Sequence, residues 1–152
     1  MLKLCRTNTN DTDFAALVIL LDADLKQSDG DEHDFYNQYN GIDSIKYVIV
    51  AYLDGTPVGC GAIKEFDKKS VEVKRMYTDT HYRGRKIASR VLGALENWAL
   101  ELGYKRCVLE TGKKQPEAVQ LYLKNHYEII ENYGQYVGVE NSICFEKNLE
   151  SP

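Results

Sequence analysis

The chain has 152 residues and a formal net charge of −4 at pH 7, with a pI near 5.4. That is enough for one domain with a substantial core, and the acidic balance argues against a broad nucleic-acid face, which needs an excess of exposed cations. No apolar run approaches the roughly 20 residues that span a bilayer and nothing resembles a secretory leader, so the expectation is a soluble, cytoplasmic protein without a membrane partner.

Leu2 to Thr7 reads as a first strand, and Asn10 and Asp11 are candidate caps for a helix carrying Phe14, Leu17, Val18 and Leu21. A second, short helix is predicted over Asp31 to Tyr39. The acidic run from Asp29 to Asp34 puts Asp29 and Glu32 at the spacing of a capping box. Ile45 to Leu53 and Pro57 to Phe66 are strand-like, joined by Asp54-Gly55, a pair suited to the positive φ angles of a tight hairpin. Ser70 to Thr78 follows as a further strand.

From Ile87 the apolar residues Val91, Leu92, Leu95, Trp98, Ala99 and Leu102 recur at three- and four-residue spacing, one buried face of a helix stopped by Gly103. Lys105 to Glu110 returns as a strand, which completes a strand, helix, strand crossover. Pro116 suits the first turn of another helix, expected to bury Ala118, Leu121 and Tyr122 and to end near Asn125. Strands near Tyr127 to Glu131 and Ser142 to Lys147 close the chain. Early hairpins and a late parallel crossover imply one α/β domain over residues 1–152. Its sheet is mixed and mostly antiparallel, with helices packed on it.

Cys5, Cys60, Cys107 and Cys144 are far apart in or beside apolar runs, and His33, His81 and His126 are equally scattered. Reduced, mostly buried thiols and no metal centre are expected. The stretch Tyr82-Arg83-Gly84-Arg85-Lys86-Ile87-Ala88-Ser89-Arg90 carries more chemistry. It sets cations, with no Asp or Glu, at a helix N-terminus whose bare N–H groups and dipole are already positive. A bound phosphate would resolve that conflict; a solvated basic helix end is the simpler alternative. A Walker loop is excluded because no GxxxxGK[ST] pattern occurs. Gly59-Cys60-Gly61 lacks the third glycine of a dinucleotide fingerprint and is read as strand packing.

Arg83, Lys86 and Ala88, after the strand Glu72-Val73-Lys74-Arg75-Met76-Tyr77-Thr78 and before the amphipathic helix, resemble the acetyl-CoA signature of the GNAT N-acetyltransferases. In that signature an Arg or Gln is followed at the third position by Gly and at the fifth by Gly or Ala. The likeness continues through Leu109-Glu110-Thr111-Gly112 and Gln115 to Tyr122. Lys86 replaces the central glycine, Thr80 stands where proline is common, Gln115 where asparagine often contacts CoA, and His126 where glycine often follows the late helix.

The resemblance implies a GNAT-like domain with acetyl-CoA as co-substrate at the crossover. Acetyl would pass to a small-molecule or peptide amine, with no metal and no nucleic acid, and a homodimer is left open. By the same resemblance, backbone groups of Met76, Tyr77 and Thr78 bind the pantetheine arm, and amides from Arg83, Gly84, Arg85, Lys86, Ile87 and Ala88 cradle the pyrophosphate. Tyr122 would protonate the departing thiolate; a core aromatic is its simpler role. Glu72, 11 positions before Arg83, stands where some members carry a glutamate base. Its simpler role is a solvent-facing strand residue, with Glu110 or a water chain as the alternative base. The acidic run at 29–34 would border the acceptor site. A noncatalytic acyl-CoA-binding regulatory domain is the alternative function.

Overall fold

The computed structural model describes residues 1–29 and 45–149. The helix expected over Asp31 to Tyr39, and all of the acidic run beyond Asp29, lie outside the described residues. Seven strands, β1 (Leu2–Thr7), β2 (Tyr47–Leu53), β3 (Thr56–Asp67), β4 (Ser70–Thr78), β5 (Arg106–Gly112), β6 (Glu128–Ile130) and β7 (Ser142–Asn148), form one sheet in the order β1-β2-β3-β4-β5-β7-β6. Among the described residues three helices flank it: α1 (Thr12–Asp29), α2 (Ile87–Glu101) and α3 (Pro116–Lys124). All neighbouring strands are antiparallel except β4 and β5, the pair bridged by the α2 crossover. The fold class expected from the element order is the one observed.

Alternation along β2 decides which helix goes where. Val48 and Val50 join Cys60, Ala62 and Tyr77 under Phe14, Leu17 and Leu21 of α1. Ile49 and Ala51 face the other way and meet Ile87, Val91, Leu92, Leu95 and Ala99 of α2, with Tyr122 of α3 in the same cluster. A strand buried on both faces reads as an unbroken apolar run, which is why this one lacks polar alternation. Asp11 is the helix cap: its Oδ1 accepts from the N–H groups of Asp13 and Phe14. The hairpin turn has Asp54 at φ 50° and Gly55 at φ 87°, as the sequence pair predicts.

Gly59 and Gly61 work as the close-packing positions expected of them. A Cβ on Gly61 would sit 2.5 Å from Met76 Sδ and 2.9 Å from Leu95 Cδ1, so α2 lies on β3 at a distance only glycine permits. Three expectations shift. The strand expected to end at Glu110 continues through Thr111 and Gly112, because both pair with β7. Ala118 and Leu121 are half-buried because they wall a groove. Trp98, also half-buried, stacks edge-on with Tyr47 at 5.3 Å.

Candidate active site

β4 and β5 pair only at Ser70–Arg106, Val71–Cys107 and Glu72–Val108. Beyond that β4 bonds only to β3 and β5 only to β7, so the sheet opens between them. An open edge leaves backbone donors and acceptors of β4 without a strand partner on that side. Within the gap β4 carries a bulge: Ala62 faces Lys74 but Cys60 faces Tyr77, and Arg75 takes φ 58°. A left-handed conformation at a non-glycine residue costs on the order of 1–3 kcal/mol, and such strain gathers at ligand sites. The Cys60 thiol donates to the Arg75 carbonyl at 3.4 Å and so ties the bulge to β3.

The bulge also changes which way side chains point. Val71, Val73 and Met76 lie toward α2, whereas Glu72, Lys74, Arg75 and Tyr77 lie toward α1. Strict alternation would have sent Arg75 to the α2 side. The extra residue instead sets Lys74 and Arg75 together on the face of Glu72.

A groove of about 870 Å³ runs from this gap to the start of α2. Met76, Tyr77, Thr78, Arg83, Gly84, Lys86, Ile87, Ala88 and Gln115, all singled out from the sequence, line it. Arg85 is the exception; its guanidinium lies 5.5 Å from the Tyr82 ring centroid, outside the groove wall. Gly84 at φ 83° and Lys86 at φ 62° turn the chain into α2. Lys86 is the N-cap and gives no side-chain capping bond, and the first turn holds no acid. The start of α2 is therefore a donor-rich, positive end facing the groove. Lys86 takes the left-handed backbone that glycine adopts without steric cost, so a lysine there carries strain.

Acids near the cations come from other elements. Arg83 Nε donates to the Thr78 carbonyl at 3.0 Å, and Nη2 meets Asp24 of α1 at 3.0 Å. Glu117 of α3 is 3.9 Å from Arg83 Nη1. Arg83 thus braces α1, β4 and α3 around the groove mouth.

At the inner end a smaller cavity of about 110 Å³ continues between the splayed strands, lined by Glu72, Lys74, Arg75, Glu110, Thr111 and Tyr136 among others. Met76, Gln115 and Tyr122 belong to both spaces, so Tyr122 stands where they join. Its ring packs against Tyr127 and Phe145 at 5.8 and 5.7 Å, as a core aromatic would. Burial, and then the Glu110 carboxylate, push its phenol well above the ordinary range. It is a proton donor across the physiological range.

Glu72 is 4% exposed and accepts from the Tyr133 hydroxyl at 2.7 Å, with Lys74 Nζ at 3.9 Å. It faces the cavity and not solvent, so the solvent-facing alternative does not hold. Burial lowers the Lys74 ammonium, while Glu72 opposes that shift. Glu110 accepts from Ser142 of β7 at 2.8 Å and braces that strand pair. Tyr136, in a 3-10 turn (Gly134–Tyr136), closes the cavity wall, and Tyr133 just before the turn packs edge-on against it at 5.9 Å. Asn132 Nδ2 fixes that loop by reaching the carbonyls of Tyr136, Val139 and Ser142. Neither tyrosine stands out in the sequence, since nothing in the loop's spacing says that it folds back onto β4. Among the described residues no group of three or more His, Cys, Asp or Glu could hold a metal ion, and no helix is long and apolar enough to cross a membrane.

Comparison with known proteins agrees with this geometry. The profile of the Acetyltransferase (GNAT) family matches residues 14–127. The chain is 36% identical over 102 residues to an IAA acetyltransferase of Azospirillum brasilense, covering 66% of this chain and 67% of that protein. It is 33% identical over 93 residues to the uncharacterized N-acetyltransferase YsnE of Bacillus subtilis, covering 60% of this chain and 62% of the relative. A solved structure of a protein assigned to the acyl-CoA N-acyltransferases, from Klebsiella pneumoniae, superposes with a TM-score of 0.81 at 30% identity, over 99% of each chain. The PaiA N-acetyltransferase of Thermoplasma acidophilum, solved with coenzyme A, has a TM-score of 0.72 at 17% identity, over 97% of this chain and 99% of that one. At that identity the likeness is one of fold.

Proposed function

The chain belongs to the GNAT acetyltransferase family, and from that premise we propose that it moves an acetyl group from acetyl-CoA to an amine by direct attack while both are bound. The observation that carries this reading is the continuous path from the uncapped start of α2, through the gap between β4 and β5, to Tyr122 and Glu72. A long, jointed co-substrate with phosphates at one end and a thioester at the other has chemistry to match both ends. Coenzyme A in the Thermoplasma neighbour and acetyl-CoA in a GNAT structure from Elizabethkingia anophelis support that choice.

The backbone amides from Arg83 to Ala88, which lead into the first turn of α2, hold the pyrophosphate with the Lys86 ammonium beside them. Arg85 adds charge from outside the groove. The open edge of β4 at Met76, Tyr77 and Thr78 bonds the pantetheine amides, and Gln115 lines the far wall. In the reaction the amine nitrogen, relieved of a proton by Glu72, forms a bond to the thioester carbonyl carbon. Backbone N–H groups at the bulge stabilise the oxyanion, and the C–S bond then breaks. Tyr122 gives its proton to the sulfur and is restored by the second proton lost from the nitrogen, which leaves CoA thiol and an N-acetyl amide. No step requires a metal. The whole chain acts as one such domain.

Calorimetric titration with acetyl-CoA, followed by thiol release with an amine panel, tests the reading. Binding and amine-dependent thiol release support it. Binding without release in any amine would make the protein a noncatalytic acyl-CoA-binding domain, and no binding by folded protein would overturn both.

A further inference from the structure

Arg75 is a buried charged residue of the cavity that acetyl transfer leaves without a task. Its side chain is 2% exposed and lines the inner cavity. Nη2 is paired with Asp22 of α1, but Nε and Nη1 are buried with no hydrogen-bond partner among the described residues. A guanidinium has only donors, set in a rigid planar fork, so these two nitrogens can be satisfied only by an acceptor brought to them. Burying them unpaired is unfavourable, and the left-handed backbone at the same residue adds to the cost. Two penalties at one position in a cavity wall point to an acceptor group that arrives with a ligand.

The cavity limits what that group can be. Its charged walls carry Glu72 and Glu110 against Lys74 and Arg75, and Asp22 of α1 is already paired with Arg75, so acids outnumber bases by one. A ligand with one positive and one negative end leaves that charge unchanged; a dianion such as phosphate would deepen the negative excess. At about 110 Å³ the space holds only a few heavy atoms.

Resting on the acetyl-transfer reading, we propose that the acceptor is an amine that also bears a carboxylate, of amino-acid type, its carboxylate bound by Arg75 and its amine facing Glu72. The acceptor is either a small amino acid or a larger molecule that presents such an end.

The test compares matched acceptors with the full chain at saturating acetyl-CoA: glycine against glycinamide, and β-alanine against β-alaninamide. Each amide keeps the amine and the size but loses the negative charge. The expected kcat/KM is roughly tenfold or more higher for the carboxylates. In Arg75→Gln that ratio is expected to fall toward one while the Kd for CoA stays within about twofold; Arg75→Lys should recover part of it. If Arg75→Gln does not fold, the comparison in unaltered protein still decides. A second readout needs no turnover: titration of the CoA-loaded protein with N-acetylglycine and with its amide, where the acid is expected to bind more tightly. Equal or inverted preferences in both measurements overturn the proposal. The acetyl-transfer reading falls separately, through failure to bind acetyl-CoA.

Discussion

Two residues at the inner end divide the chemistry by their surroundings. Tyr122 is sealed among aromatic rings, which keeps its phenol protonated, while Glu72 is held by a hydroxyl and faces an ammonium. Tyr122→Phe removes one oxygen and keeps the ring contacts. It should lower kcat by about 10²-fold or more and leave acetyl-CoA affinity within about twofold. Equal losses in both would make Tyr122 a packing residue. Glu72→Gln keeps an acceptor for Tyr133 but cannot take a proton, so the acidic limb of the pH–rate profile should disappear; an unchanged limb would move the base to Glu110 or to water. These two residues were legible because a motif marks them. Tyr133, Tyr136 and Arg75 were not: the first two arrive through a loop with no periodic signal, and the third is turned into the cavity by a bulge that breaks alternation.

At the scale of elements, helix ends set the site. α3 finishes in a Schellman motif in which Tyr127 N–H bonds the Tyr122 carbonyl at 3.0 Å and His126 N–H bonds that of Leu123 at 3.2 Å. His126 sits at φ 73°, so it takes a glycine's conformation with a side chain attached. His126→Gly should stabilise the protein by roughly 0.5–1 kcal/mol, after allowing for the freer unfolded chain, with a rise in Tm of about 1–4 °C. The comparable change at Lys86 tests more than strain. Lys86→Gly should also relieve φ 62° but withdraws an ammonium from the groove. Stability is expected to rise while CoA affinity falls, and pantetheine, which has no pyrophosphate, should bind as before. Affinity that rises with stability would mean that the ammonium contributes nothing to the anion site. Helices and strands were readable here because their patterns run over many residues and their ends are marked by Gly103, Pro116 and Asp54-Gly55. The point where β4 leaves β5 was not, because strand divergence leaves no mark on either strand's own pattern.

Across the whole molecule, the sheet is covered on both faces, and its thiols record that. Cys60 and Cys107 are fully buried, Cys144 is buried at β7, and Cys5 is half-buried on β1. Burial pushes the Cys60 and Cys107 thiols up to about 12 and Cys144 to about 11, from an ordinary value of 9.0. A group that ionises later in the fold than in the unfolded chain contributes stability that is complete below pH 9. That contribution is lost as the pH climbs through the folded values. For Cys60 it is on the order of 4 kcal/mol at most. The denaturation midpoint should therefore hold from neutral pH to about 9 and fall steeply between 9 and 12. Because Cys60 also holds the Arg75 carbonyl of the bulge, Cys60→Ala separates two effects. It should lower stability at pH 7, where the bulge loses its tie, yet make the alkaline fall shallower, because one buried thiol fewer is left to ionise. A variant whose stability tracks the unaltered protein at every pH would mean that neither the tie nor the buried thiol bears on the fold. Alkylation at neutral pH should label Cys5 alone in folded protein, since the other three are buried out of the reagent's reach.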